Sequence, residues 1–165
     1  MREPTFPYLA STTHSGFLNA PPQREGAAWT VAGVAWDGAT TNRPGARLGP
    51  AAIRRASHLM CDAVHPLWDV SPQPLLQDLG DLPLPNTSLA SMRAALRSRA
   101  AALLQQHGHM VWLGGDHSIT LPLLQAYHAR LARPLALLQA DAHCDTWSYH
   151  FSEPSGHGTW LYEAV

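Results

Sequence analysis

The order of apolar and polar positions divides the chain into short runs separated by loops. Trp29 to Trp36 (WTVAGVAW) is an almost uninterrupted apolar run of strand length, the pattern of a strand buried on both faces. A polar, glycine-containing stretch follows from Asp37 to Gly49, and Pro50 stands where a first helical turn accepts proline, which predicts a helix to about Ser57. Leu75 to Leu79 reads as a second strand, closed by Gly80-Asp81. Between Thr87 and Gln106, Leu89, Met92, Leu96, Ala100 and Leu103 recur at spacings of three and four, so a helix with one apolar face is expected. Asn86 to Ser88 offer N-caps for it and Gly108 a stop. Met110 to Leu113 predicts the next strand, running directly into Gly114-Gly115-Asp116-His117-Ser118. A helix over about Leu121 to Leu131 and a strand over Pro134 to Gln139 complete the series, and that strand leads into Asp141-Ala142-His143-Cys144-Asp145.

Strands alternating with helices predict an α/β fold on a largely parallel sheet. Ligands bind such sheets beyond the carboxyl ends of the strands. Both motif loops leave strands at that edge, so they are expected to open on the same side. Residues 1–27, rich in Pro, Gly, Ser and Thr, read as an irregular lead-in to a domain over 28–165.

Composition narrows the classes without selecting an activity. A chain of 165 residues, 45% hydrophobic, suits one globular core. Charged residues make up 14% and the net charge is −1, so no strong field points to nucleic acid or an anionic membrane surface. No apolar run approaches the roughly 18 residues that span a bilayer. The 11 basic residues are all arginine, which with the abundant alanine fits a GC-rich coding bias. Two cysteines, Cys61 and Cys144, are too few for a disulfide framework, and the N-terminus lacks the apolar core of a signal peptide; a cytoplasmic location is expected. Of the ten histidines, His14, His58, His65, His107, His109, His128 and His150 are scattered, whereas His117, His143 and His157 sit in motifs.

Asp141, His143 and Asp145 alternate with Ala142 and Cys144. In an extended segment, positions i, i+2 and i+4 face the same way. Two carboxylates and an imidazole form an oxygen and nitrogen ligand set suited to divalent manganese, iron or zinc, and the lack of thiolate ligands argues against a structural zinc knot. The plainer alternative is an Asp-capped turn with a chance histidine. His117 follows two glycines that permit a tight turn and would bring a further ligand to the same edge of the sheet; alone it reads as a loop histidine. Asp116 either fixes the imidazole tautomer or caps the following helix. His157, between Gly156 and Gly158, sits on accessible backbone where an imidazole could shuttle protons; the alternative is an exposed loop histidine. Cys144 is expected to point away from the ligand face, with no redox role.

In this order GGDHS (114–118), DAHCD (141–145) and GHGT (156–159) resemble the ureohydrolases, the family of arginase and agmatinase. The stretch TNRPGARLGPAAIR (41–54) is similar to the agmatinase branch. The resemblance implies an arginase-like three-layer α-β-α domain around an eight-stranded parallel sheet, incomplete here. It implies hydrolysis of a guanidino compound at a pair of Mn²⁺ ions by a metal-bridging hydroxide. His117 and Asp145 would then bind one ion, His143 the other, and Asp141 both, with His157 aiding proton transfer or substrate positioning. Arginases usually continue the metal segment as Asp-Ile-Asn, whereas here Asp145 precedes Thr146-Trp147. Agmatine, yielding putrescine plus urea in polyamine biosynthesis, is therefore the expected substrate, with guanidinobutyrate and related guanidino acids open. Relatives form homotrimers or hexamers, so a homo-oligomer is expected of the complete protein.

The resemblance also places two further metal-ligand aspartates of the family beyond Val165, in an Asp-x-Asp signature. After Asp145 the only acids are Glu153 and Glu163, and neither matches it. Strands from that further half are expected to lie between the GGDHS and DAHCD strands. The 165-residue chain alone is therefore expected to be inactive or poorly folded, with a non-catalytic remnant as the alternative to a half enzyme. An unrelated binuclear metallohydrolase would require the ordered motifs to coincide by chance.

Overall fold

The computed structural model describes residues 16–60, 62–149 and 151–165; His14, Cys61 and His150 lie outside the described residues. The sheet has three parallel strands, β1 (Trp29–Val34), β2 (Leu76–Asp81) and β3 (His109–Gly114), in the order β2-β1-β3. β1 is central, and its apolar run is buried from Thr30 to Val34, as expected of a strand covered on both faces. Helix α1 (Gly49–Ser57) has Pro50 in its first turn, α2 spans Leu89–Gln106, α3 Thr120–Leu131 and the short α4 Trp160–Ala164.

Alternation along the strands sends side chains to two cores. Val34, with partly buried Met110 and Trp112, packs under α2 and α3 against Met92, Leu96, Ile119 and Leu123. Val31, Leu76 and Leu113, with partly buried Val111, face the other way. There Leu18 and Ala20, from the lead-in, close the core beside α1. The α2 stripe is Met92, Leu96, Ala100 and Leu104, a strict four-residue step that buries Leu104 where the sequence pattern points to Leu103. Ser88 caps α2, its side chain accepting from the Ser91 N–H at 3.1 Å.

One expected element is absent. Residues 134–139 form no strand, and Leu138 is 96% exposed. A strand exists only through pairing, and among the described residues no strand lies on the outer side of β3 to receive one. The apolar sequence of 134–139 is strand-like, but its hydrogen-bonding partner is not there.

Two glycines are fixed by space. A Cβ at Gly33 would fall 1.9 Å from Asp81 Oδ1, and one at Gly115 would fall 2.4 Å from the Trp36 carbonyl oxygen. Gly115 is thus needed because the loop after β3 packs on the end of β1, where the Asp116 N–H donates to the Trp36 carbonyl at 2.8 Å. Neither Gly114 nor Gly115 adopts a positive φ, so close approach, not turn conformation, explains the pair.

A buried ion pair joins α1 to β2. Arg54 Nε donates to Asp78 Oδ2 at 2.7 Å and Nη2 to Oδ1 at 2.9 Å, while Nη1 reaches Asp81. Asp78 is wholly buried and also accepts from the Phe17 N–H at 2.7 Å. Burial would raise the Asp78 pKa, but the bonds from Arg54, Phe17 and Gly80 outweigh it and hold the carboxyl below its ordinary value. A depressed folded pKa contributes stability that is present above the unfolded value and lost as pH falls through the folded one. Urea unfolding followed by circular dichroism is expected to give a constant midpoint near neutral pH and a falling one below about pH 4. Arg54→Ala, which strands the Asp78 charge, is expected to cost about 3–5 kcal/mol in the same measurement.

Candidate metal centre

The site lies beyond the carboxyl ends of β1 and β3. β3 runs into the 114–118 loop, where Asp116 caps the turn ahead of α3. Asp116 Oδ1 accepts from the Ser118 N–H at 3.0 Å and Oδ2 from the Ala39 N–H at 2.9 Å. Of the two roles open to Asp116, the structure takes the cap. That cap ties the β3 loop to the loop after β1 and turns His117 outward from the sheet edge.

Opposite His117 stands the 141–145 segment. His117 Nδ1 is 2.7 Å from Asp145 Oδ2 and 3.4 Å from Asp141 Oδ2. One potential ligand atom from each of His117, Asp141 and Asp145 lies within 4.8 Å of the others. Two ligands on one ion at bond lengths of about 2.0–2.2 Å stand no more than about 4.4 Å apart, so atoms this close are within reach of a shared divalent cation. Hard carboxylate oxygens with one imidazole nitrogen fit manganese, iron or zinc. The donor set therefore fits an ion. Asp141 Oδ1 accepts from the His143 N–H at 2.9 Å. That bond, foremost, and the nearby His117 hold the Asp141 carboxyl below its ordinary pKa against some desolvation, so the carboxylate form is favoured.

His143 does not join the group. Its side chain is 84% exposed, with Nδ1 3.8 Å from Asp141 Oδ1. The expected alternation needs an extended strand, and the segment is not one: Asp145 adopts φ 52°, in the left-handed region. The 141–145 stretch combines the Asp-capped turn with the convergence of its two carboxylates on His117. Cys144 is exposed, its Sγ 3.3 Å from Thr146 Oγ1. With His143, Asp145, Trp147 and His157 it lines a cavity of about 350 Å³.

His157 faces this same cavity. Its Nδ1 donates to the Ala39 carbonyl at 2.8 Å. In the neutral ring this bond places the proton on Nδ1 and the lone pair on Nε2. The 155–159 loop is held by Glu163, which accepts from Arg93 Nη1 at 2.7 Å, Ser155 Oγ at 2.9 Å and Thr159 Oγ1 at 2.6 Å. Burial would raise the Glu163 pKa, but these donors, Arg93 first, hold it below the ordinary value.

Two residues of the site were not legible as such. Trp160 donates its indole N–H to Asp145 Oδ2 at 2.8 Å, and Arg93 reaches Glu163 from α2 across 70 positions of sequence. Trp160 directly follows the Gly-His-Gly-Thr motif, which was its one sequence signal. Arg93 carried none.

A parallel α/β sheet with a His/Asp/Asp group able to hold an ion at its carboxyl edge is the class that the fold and site define, and comparison narrows it. The chain belongs to the Arginase family, whose profile matches residues 27–165. It is 37% identical over 160 residues to an agmatinase of Chromobacterium violaceum, covering 93% of this chain and 50% of the relative. It is 40% identical over 156 residues to an agmatinase of Neisseria meningitidis, covering 90% and 50%. Among solved structures, a hypothetical agmatinase from Burkholderia thailandensis matches with TM-score 0.82 at 38% identity, covering 92% of this chain and 50% of that one. Proclavaminate amidino hydrolase from Streptomyces clavuligerus matches with TM-score 0.81 at 32% identity, covering 92% and 51%. The chain thus spans about half the length of the relatives it matches, and its fold is the arginase-like α/β fold, incomplete.

Glu163→Ala removes the acceptor shared by Arg93, Ser155 and Thr159. Exchange of the Gly156 amide, which donates to Thr159 Oγ1, is expected to accelerate about 10–100-fold in hydrogen-exchange mass spectrometry, because charge-assisted bonds are each worth about 1.5–3 kcal/mol.

Proposed function

We propose that this chain carries part of the active centre of an agmatinase-type ureohydrolase that hydrolyses a small guanidino amine, agmatine, to putrescine and urea. The observation that carries this reading is the convergence of His117, Asp141 and Asp145 at the sheet edge, with His157 lining the same cavity as Asp145. The agmatinase relatives support the reaction class.

In this reading His117 and Asp145 would hold one Mn²⁺ and, once its exposed ring turned inward, His143 a second, with Asp141 contributing to both. When bound, such ions polarise the guanidinium and lower the pKa of water at neutral pH. The chain's own residues do the rest. The Ala39 carbonyl holds the His157 ring with Nε2 as the basic nitrogen, suited to carry a proton between solvent and the leaving amine. Glu163 and Arg93 keep the His157 loop in place without touching the reacting atoms. Trp147 and Phe151 line the surrounding cavities and offer apolar surface to a short aliphatic tail. A cytoplasmic homo-oligomer, trimer or hexamer, belongs to the same proposal for the complete protein. Among the described residues no helix is long and apolar enough to cross a membrane.

The exposed His143 and the open side of β3 also favour the view that the 165-residue chain alone is not a working enzyme. Urea release with added Mn²⁺ is the test, read on the isolated chain and on the chain joined to the remaining half of the Neisseria meningitidis relative. The isolated chain is expected to release none. The completed domain is expected to hydrolyse agmatine in preference to 4-guanidinobutyrate and arginine, and Asp141→Asn to lower its rate at least about 100-fold, since even indirect partners of a metal cost 10–100-fold when lost. A completed, folded domain that releases urea from none of the three substrates would sink the reading.

A further inference from the structure

The oxygen of Asp145 that faces His117 has a second donor. Trp160 Nε1 donates to Asp145 Oδ2 at 2.8 Å, while His117 Nδ1 approaches the same atom at 2.7 Å. The indole ring also lies against the imidazole, with centroids 4.7 Å apart and planes inclined by 47°. Trp160 is 1% exposed. An indole N–H is a donor only and cannot ligate a cation, and a buried donor without an acceptor costs about 1–3 kcal/mol. Its bond to a carboxylate is therefore strongly held.

The segment that carries Asp145 has little else to fix it. Residues 134–149 form no helix or strand, and Asp145 has φ 52°, a left-handed conformation that costs a non-glycine residue about 1–2 kcal/mol. The first turn of α4 compensates: the Leu161 N–H donates to the Asp145 carbonyl at 3.2 Å, and Trp160 takes the side chain of the same residue. Backbone and carboxylate of Asp145 are thus both clamped from α4. If Nδ1 of His117 gives its lone pair to an ion, its own bond to Asp145 is lost, and the indole bond is the one that still orients the carboxylate.

We propose that Trp160 is a positioning residue of the metal centre: its N–H sets the Asp145 carboxylate and its ring braces His117, so ion affinity depends on a side chain that cannot bind the ion. This rests on the reading of His117, Asp141 and Asp145 as metal ligands.

The test is a calorimetric titration with Mn²⁺ of the completed domain, this chain joined to the remaining half of the Neisseria meningitidis relative, carrying the native chain, Trp160→Phe or Asp145→Asn. Phenylalanine keeps a ring beside His117 while removing the donor, together with part of the indole's buried bulk. The native chain is expected to bind, Asp145→Asn to lose binding, and Trp160→Phe to bind 10–100-fold more weakly with an unchanged circular dichroism spectrum. Equal affinity in the native chain and Trp160→Phe overturns the proposal and leaves the metal reading intact, since packing alone survives that substitution. No binding by the native chain overturns both. Should Trp160→Phe fail to fold, the native chain decides: the indole N–H resonance of Trp160 is expected to shift on addition of diamagnetic Zn²⁺ in the native chain and not in Asp145→Asn. A resonance unmoved in the native chain overturns the proposal.

Discussion

The Arg54–Asp78 pair is the junction on which the arrangement of this half-domain depends. A wholly buried carboxylate is tolerable only if its charge is matched and its lone pairs are filled, and here a fork of guanidinium donors and two backbone amides do both. Each partner belongs to a different piece of chain. Arg54 comes from α1, Asp78 from β2, and the Phe17 amide from the lead-in, while Ser57 of the same helix accepts from the Leu18 N–H at 2.8 Å. Removing water from this carboxylate therefore requires helix, strand and lead-in to arrive together. That couples the packing of one sheet face to a single electrostatic condition. With α1 fixed, the preceding loop is fixed too, since Asp37 binds the Gly45 amide at 2.7 Å and pairs with Arg47 just ahead of the helix.

The site shows the opposite construction. His117 and Asp116 are delivered by a paired strand and a capped turn, whereas Asp141, Asp145 and His157 sit on chain with no regular pairing. Their positions come from point contacts: the Ala39 carbonyl on His157, the indole on Asp145, and Glu163 on the loop between them. The His117 imidazole edge meets both carboxylates, Asp145 at 2.7 Å and Asp141 at 3.4 Å. That contact draws Asp141 and Asp145 together without needing His143, which turns to solvent.

What the sequence made legible follows from how local each signal is. The β1 run, the α2 stripe with its Ser88 cap, and Pro50 at the start of α1 are each written within one element, and each appears within a residue or two of its expected bounds. The three histidine motifs could be singled out because unusual residues stand at short spacing. The strand over 134–139 was misjudged because apolar content measures the capacity to pair, while pairing itself is a property of the neighbour. His143 was placed with the ligands on a period of two that the left-handed Asp145 interrupts. Arg93 has no mark in the sequence and Trp160 only its place after the Gly-His-Gly-Thr motif, since bonds across 70 and 15 positions join residues whose local surroundings are ordinary helix and loop.

These features meet at the open side of β3. The strand's inner side is paired to β1 along its full length, and its outer side presents a row of amides and carbonyls with half-buried Met110, Val111 and Trp112 beside it. Further along the chain, after α3, come the strand-like 134–139 segment and then the two carboxylates. A polypeptide that paired with β3 would give 134–139 something to pair against in turn, and pairing there would impose the period of two on the residues that follow. Under that constraint Asp141, His143 and Asp145 would fall on one face, the alternation that the free segment lacks. Only His143 is left out of the present convergence, and pairing at the edge would bring it to the face on which Asp141 and Asp145 already meet His117, because the backbone geometry that satisfies the edge also sets which way that side chain points.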